Sequence, residues 1–298
     1  MMPPSTQQPL SSGRTRLRCG SCWLAAPGLL WMAALFLIPL LLVLAVSFAS
    51  RGTYGGIEWD WTLANYVDLV HPLYLKILAQ SVWYAGLTTA VCFVLGFPLA
   101  YFIARSPARR QPILLTLVML PFWTNFLVRT YAWMIVLRHD GLVNRLLQAL
   151  DLIEAPLELL YTPLAVLIGL VYGYLPFMVL PLYVAVERLD RSLVEAAWDL
   201  YASRWAVFTK ILLPLTKPGI VGGCVLVFVP SIGAFITPDL LGGARSMMIG
   251  NLIQHEYLVV RDWPLGSAAS FVLMAVVTAA VVLYFRYSDP GSERGEVR

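Results

Sequence analysis

Few residues of this 298-residue chain are equipped for acid–base, nucleophilic or metal chemistry, and those few are scattered. The three histidines, His71, His139 and His255, lie far apart in sequence, so no metal site is expected from them. Cys19 and Cys22 form a C-x-x-C with no second pair and no neighbouring His pair, which leaves zinc without a ligand set. Together with Cys92 and Cys224 they do not make the disulfide framework of a small secreted domain. A Gly-x-x-x-x-Gly-Lys-Ser/Thr loop is absent, so the chain cannot hydrolyse ATP by that route itself. What it does offer is aromatic rings, 12% of all residues, and a lone charge, Arg129, within an otherwise uncharged stretch. Ring faces attract cations by ~0.5–2 kcal/mol each. An ionisable residue in such a stretch is by default functional or paired.

These residues sit on elements that composition identifies. Hydrophobic residues make up 59% of the chain and charged ones 13%, against ~25% charged in ordinary soluble proteins. Mean hydropathy is +0.74. That is too little charge to cover a soluble surface and too much apolar content for disorder. Charge-free windows cover residues 19–50, 77–104, 111–128 (running on past Arg129 to 137), 159–186, 218–238 and 263–285. A helix needs ~20 apolar residues to cross the hydrocarbon core, and backbone in lipid must satisfy its own hydrogen bonds. The expectation is an all-α polytopic membrane protein with six transmembrane helices over 19–287, flanked by disordered tails at 1–18 and 288–298. The first window follows Arg14, Arg16 and Arg18 but exceeds the ~7–15 residues of a signal-peptide core, so it reads as an uncleaved anchor. Pro39, Pro98, Pro121, Pro176 and Pro181 fall within spans, where neighbours can satisfy the carbonyls they free.

Orientation follows from Lys and Arg. With both termini in the cytoplasm, 14 of the 21 bases face inward and six outward, while ten of the 17 acids face outward. The net +4 is therefore a topology signal and not a nucleic-acid footprint; the acidic outer loops follow from the displacement of bases to the inside, and an acidic mouth that concentrates cations is the alternative reading.

The longest inward segment, residues 187–217, has apolar residues near helical spacing with charges between them. Asp190 or Ser192 is placed to cap its start, and Pro214 and Pro218 break it before the fifth span. This is a short amphipathic helix pair, suited to a membrane surface or to a groove in a partner. It carries Glu195-Ala196-Ala197, three residues, Tyr201, nine residues, Ile211, one residue and Leu213-Pro214. That spacing resembles the EAA loop of ABC-importer permeases, with one departure: Tyr201 stands where the family has Gly. A Tyr there must avoid positive φ or bear strain. By resemblance Glu195, Ala196, Ala197, Asp199, Tyr201, Ile211 and Pro214 form a coupling surface for a separate ATPase.

The likeness extends over roughly residues 25–285. Leu-Pro-Phe-Trp-Thr-Asn-Phe-Leu-Val-Arg-Thr-Tyr-Ala-Trp at 120–133 resembles the third span of spermidine/putrescine permeases. So do Tyr-Leu-Pro-Phe-Met-Val-Leu-Pro-Leu-Tyr at 174–183, Thr-Pro-Asp-Leu-Leu-Gly-Gly-Ala at 237–244, Met-Ile-Gly-Asn at 248–251 and Arg-Asp-Trp-Pro at 261–264. Many relatives carry Glu before Thr-Pro-Asp, where this chain has Ala234. The resemblance implies a type I, MetI-like importer permease of the bacterial inner membrane, without a cofactor of its own. It implies a second homologous permease, two ATPase copies and an extracytoplasmic polyamine-binding protein as partners.

A polyamine path needs many weak contacts, since tight binding would block release. No Asp or Glu lies in the six windows, so the rings must supply them. Trp123, Tyr172 and Tyr174 are the pathway candidates, with Asp239 beside the span that follows. Trp83, Tyr84 and Trp133, near window ends, read as interfacial belt residues. Arg129 is expected to pair with an acid such as Asp239. The alternatives are a like importer for another small solute, an intramembrane enzyme, which would need clustered acids, His or Ser/Lys that the windows do not offer, and a non-transporting scaffold.

Overall fold

A computed structural model describes residues 20–53, 55–243 and 246–288. Cys19 and the tails expected at 1–18 and, beyond Ser288, at 289–298 lie outside the described residues. The chain divides into two units, Met1–Ala45 and Val46–Arg298. The first is carried by α1 (Gly20–Ser47), which contains Pro27 and Pro39 and is apolar on every side. Leu30, Trp31 and Phe36 are largely exposed, as suits a helix whose solvent is lipid.

The second unit opens with a two-stranded antiparallel pair, β1 (Ser50–Arg51) and β2 (Ile57–Glu58), and continues through α2 (Ala64–Asp68). Then come α3 (Pro72–Arg105), α4 (Gln111–Met119), a 3₁₀ turn at Leu120–Trp123, α5 (Phe126–Leu137) and α6 (Leu142–Ala149). Next are α7 (Pro163–Glu187), α8 (Arg191–Asp199), α9 (Arg204–Val207), a π turn at Phe208–Leu212 and α10 (Leu213–Leu215). Last are α11 (Lys217–Ile232), a π turn at Pro238–Gly242, α12 (Ile249–His255), a π turn at Glu256–Val260 and α13 (Trp263–Ser288).

Four helical segments are long and apolar enough to cross a membrane: Leu30–Ser47, Pro72–Arg105, Pro163–Glu187 and Trp263–Leu283. Two bent pairs, Gln111–Trp123 with Phe126–Ala149 at 88° and Arg204–Leu215 with Lys217–Ile232 at 73°, bring the number to six where each pair is taken as one span. The third and fifth windows are thus broken and not straight. Pro121 lies in the 3₁₀ turn that ends the first arm, just before the first break. The second falls at Thr216, between the two prolines that sequence marks as breakers. Each break supplies its own partners. Asn125 caps α5 by accepting from the Leu127 N–H at 2.8 Å. Thr216 donates its hydroxyl to the Leu212 carbonyl at 2.7 Å.

The core lies where α3, α7 and α11 pack on one another, around Cys92, Phe97, Ala100, Met178, Leu182 and Val227. Close approach is secured by small residues. A methyl at Gly219 of α11 would fall against the Pro181 carbonyl and Ala185 of α7. A methyl at Gly222 would make only ordinary contact, 3.8 Å from Pro181. Gly219→Ala is therefore expected to destabilise the α7–α11 contact by ~1–3 kcal/mol and to lower the melting temperature of the purified protein, whereas Gly222→Ala leaves it within error.

Candidate functional site: a coupling loop and an aromatic cation cage

The loop at 187–217 is built on α8, whose start is capped by Asp190 accepting from the Ser192 N–H at 3.0 Å. That hydrogen bond holds the Asp190 carboxyl below its ordinary range. Val194 and Ala197 turn inward onto the core beside Val186, Val207 and Leu212. Glu195, Ala196 and Asp199 face outward, and Pro214 is exposed too; Ile211 is half-buried. Glu195 shares a cleft with Tyr101, Arg105, Arg191, Val194 and Trp198. The triplet thus divides its labour: Ala197 anchors the helix, and the other two residues present a surface.

Helix α8 ends in a Schellman motif. The Ala202 N–H donates to the Ala197 carbonyl at 3.0 Å and the Tyr201 N–H to the Trp198 carbonyl at 2.9 Å. Tyr201 takes the left-handed position at φ 57°. It does not avoid positive φ but bears the strain, ~1–2 kcal/mol for a residue with a Cβ. Its ring is 97% exposed, so no packing within the chain returns that cost.

Arg129 lies on α5 and is 8% exposed. Its guanidinium carbon stands 5.3 Å from the Phe126 ring centroid and 5.7 Å from that of Tyr172 on α7. Trp133 meets the Tyr172 ring edge-on at 5.4 Å and 73°. Nη1 donates to the Pro121 carbonyl, just before the break, at 3.1 Å. The expected pairing with Asp239 does not occur, because Asp239 is exposed on the π turn at Pro238–Gly242. Among the described residues the ion pair within 4 Å is Arg138 with Asp140, at 3.7 Å. Arg129 is instead held by two ring faces and a carbonyl. Cation–π contacts of ~0.5–2 kcal/mol each offset part of the ~2.5–3.5 kcal/mol cost of an arginine at membrane depth.

The sequence candidates separate accordingly. Arg129 and Tyr172 come together, joined by Trp133 and Phe126, which sequence reading placed in the belt or left aside. The signal was available, because 126, 129 and 133 share one face of a helix. Tyr174 points elsewhere: its hydroxyl donates to the Pro230 carbonyl of α11 at 3.2 Å. It continues an aromatic run through Phe177 to Phe122, with centroids 6.3 and 5.1 Å apart. Trp123 is 74% exposed on the 3₁₀ turn. Tyr84 is buried and not a belt residue, in a cluster with Val166, Leu170, Met248 and Ala234, against which Tyr174 also packs.

Near the starts of α3 and α13, Glu256 is buried. Burial first, then the Asp262 carboxylate, raises its pKa above the ordinary range, while His255 and Arg51 oppose that rise. A raised folded-state pKa means the charged form is penalised in the fold. Glu256→Gln is thus expected to raise the melting temperature at neutral pH, with the gain fading as pH falls through the folded pKa toward the ordinary Glu value. Tyr201→Gly should relieve the left-handed strain, net of the entropy Gly adds to the unfolded chain, by up to ~1 kcal/mol. Hydrogen exchange at the Ala202 amide should then slow by up to ~5-fold; unchanged or faster exchange would refute the strain.

Comparison with known proteins follows the same lines. The family described as binding-protein-dependent transport system inner membrane component matches residues 94–294. The chain is 44% identical over 258 residues to the spermidine/putrescine transport system permease protein PotB of Salmonella typhimurium (strain SL1344), covering 87% of this chain and 90% of that one. It is 43% identical to PotB of Escherichia coli (strain K12), covering 87% and 94%. A bacterial ABC transporter for import of the acidic polysaccharide alginate shares the fold at TM-score 0.70 and 18% identity, covering 90% of this chain and 96% of that one. A MetI-like helical fold with two broken spans, an EAA-spaced loop and these matches together place the chain in the family of binding-protein-dependent transport system inner membrane components, the permeases of ABC importers.

Proposed function

We propose that this chain is a permease subunit of an ATP-driven importer for polyamines of the putrescine and spermidine class. The observation that carries the reading is identity of 43–44% over 87% of the chain to permeases named for spermidine/putrescine transport. The site chemistry supports it. The apolar spans offer ring faces and no carboxylate to a passing cation, which suits weak, successive contacts with a flexible chain of ammonium groups. Trp123, Tyr172 and Tyr174 are the rings assigned to that path, with Asp239 as an acid at its edge. A cleft of about 960 Å³ lies beyond the end of α5; Arg138 and Asp140, paired at 3.7 Å, line it together with Glu158 and Tyr161, which leaves Glu158 as its unpaired carboxylate toward an amine.

In this reading both termini and the loop at 187–217 are cytoplasmic. ATP is hydrolysed by two copies of a separate subunit. A second permease completes the pathway, and an extracytoplasmic binding protein delivers cargo. Glu195 and Asp199, exposed on the capped and anchored α8, meet the ATPase, with Tyr201 beside them. ATP binding draws the loops of the two permeases together, and the bends at 124–125 and 216 let the spans follow.

Uptake of labelled putrescine and spermidine in a strain deleted for this gene tests the substrate: complementation should restore at least one, and rescue of neither refutes polyamine import. Glu195→Ala should leave the subunit in the membrane and lower uptake at least 10-fold, with loss of substrate-stimulated ATPase activity in the purified complex. Undiminished stimulation would exclude Glu195 from coupling.

A further inference from the structure

We propose that the Arg129 guanidinium is a tethered stand-in for the substrate's ammonium: it occupies an aromatic cation site between α5 and α7, and an organic amine in transit takes that site by displacing it. The inference rests on the polyamine reading for the identity of the amine, but not for the existence of the site.

Three observations carry it. Arg129 is 8% exposed, and no carboxylate lies within 4 Å of its guanidinium among the described residues. It is flanked by the faces of Phe126 and Tyr172 at 5.3 and 5.7 Å, with Trp133 closing the Tyr172 edge at 5.4 Å. And of the five N–H donors a guanidinium carries, one makes a hydrogen bond, to Pro121. A permanently charged group is thus held by two ring faces and one carbonyl, and the ring faces supply the interaction by which alkylammonium ions are recognised in aromatic cages. A site that holds this cation without a counter-ion will hold another of similar size.

The tether has two consequences. A group fixed beside its site acts at an effective concentration in the millimolar range, so a free inorganic or monovalent cation competes poorly at rest. An amine with several ammonium groups and an apolar stem competes better. Displacement also breaks the bond to Pro121, which lies just before the break between α4 and α5. Entry of the amine and movement at the 88° bend are therefore coupled through one side chain.

The test uses the assembled importer in lipid nanodiscs without its binding protein. Binding of propylammonium and of putrescine is followed by tryptophan fluorescence and by equilibrium dialysis of the labelled ions. Arg129→Gln should bind both at least 10-fold more tightly than wild type. Tyr172→Leu added to Arg129→Gln should abolish the gain. Arg129→Lys, which keeps a cation but loses the planar stack, should gain about threefold, and it carries the test if Arg129→Gln does not assemble. Equal or weaker binding in the variant that assembles overturns the proposal, leaving Arg129 a pin for the break. A gain that survives Tyr172→Leu overturns the aromatic site. Because propylammonium is not a polyamine, this outcome is independent of whether the wild-type importer takes up putrescine or spermidine.

Discussion

Any break in a membrane helix leaves N–H and C=O groups without partners in a medium that offers none. Two spans of this permease are broken, at 124–125 and at 216, and much of the functional architecture is the means by which those breaks are made tolerable. At the first, Asn125 caps the new helix, Thr124 donates to the Pro121 carbonyl at 2.7 Å, and Arg129 reaches back to the same carbonyl. At the second, the Thr216 N–H and hydroxyl both serve Leu212. A chain that satisfies its breaks locally can bend there without opening its core.

The rigid part complements this. Helices α3, α7 and α11 approach closely through glycines and fill the space between them with Met178, Leu182 and Val227. α7 serves both parts. One side carries Met178 and Val179 into the core, while Tyr172 faces α5 and the Arg129 cage. The buried face of α8 packs on the same core, so the loop is joined to it by packed side chains.

The charges of the spans and of the loop obey one rule in opposite ways. In the loop, water solvates Glu195 and Asp199, and their cost is small. On α5 the buried Arg129 must be solvated by the protein, and aromatic rings contribute to this without adding a second charge. Tyr201 is a different kind of exception. Its left-handed backbone completes the hydrogen bonds that end α8, and its cost is borne locally because the turn over-determines the conformation.

Composition and spacing sufficed for the class of protein, because lipid imposes a length and an absence of charge that can be counted. The charge-free windows, the cap at Asp190 and the loop at 187–217 are all legible because each depends on residues near one another in sequence. Whether a window is straight or broken is not legible in that way. Pro98, Pro176 and Pro181 pass through continuous helices while Pro121 lies next to a bend, so residue type alone does not tell the two apart. The partner of Arg129 was likewise decided by the fold. An isolated arginine calls for a carboxylate by Coulomb's law, but Asp239 is carried to an exposed turn and Tyr172 is brought from another helix. Sequence determined that a cation would lie among aromatic residues; only the packing of α5 on α7 decided that the rings themselves would hold it.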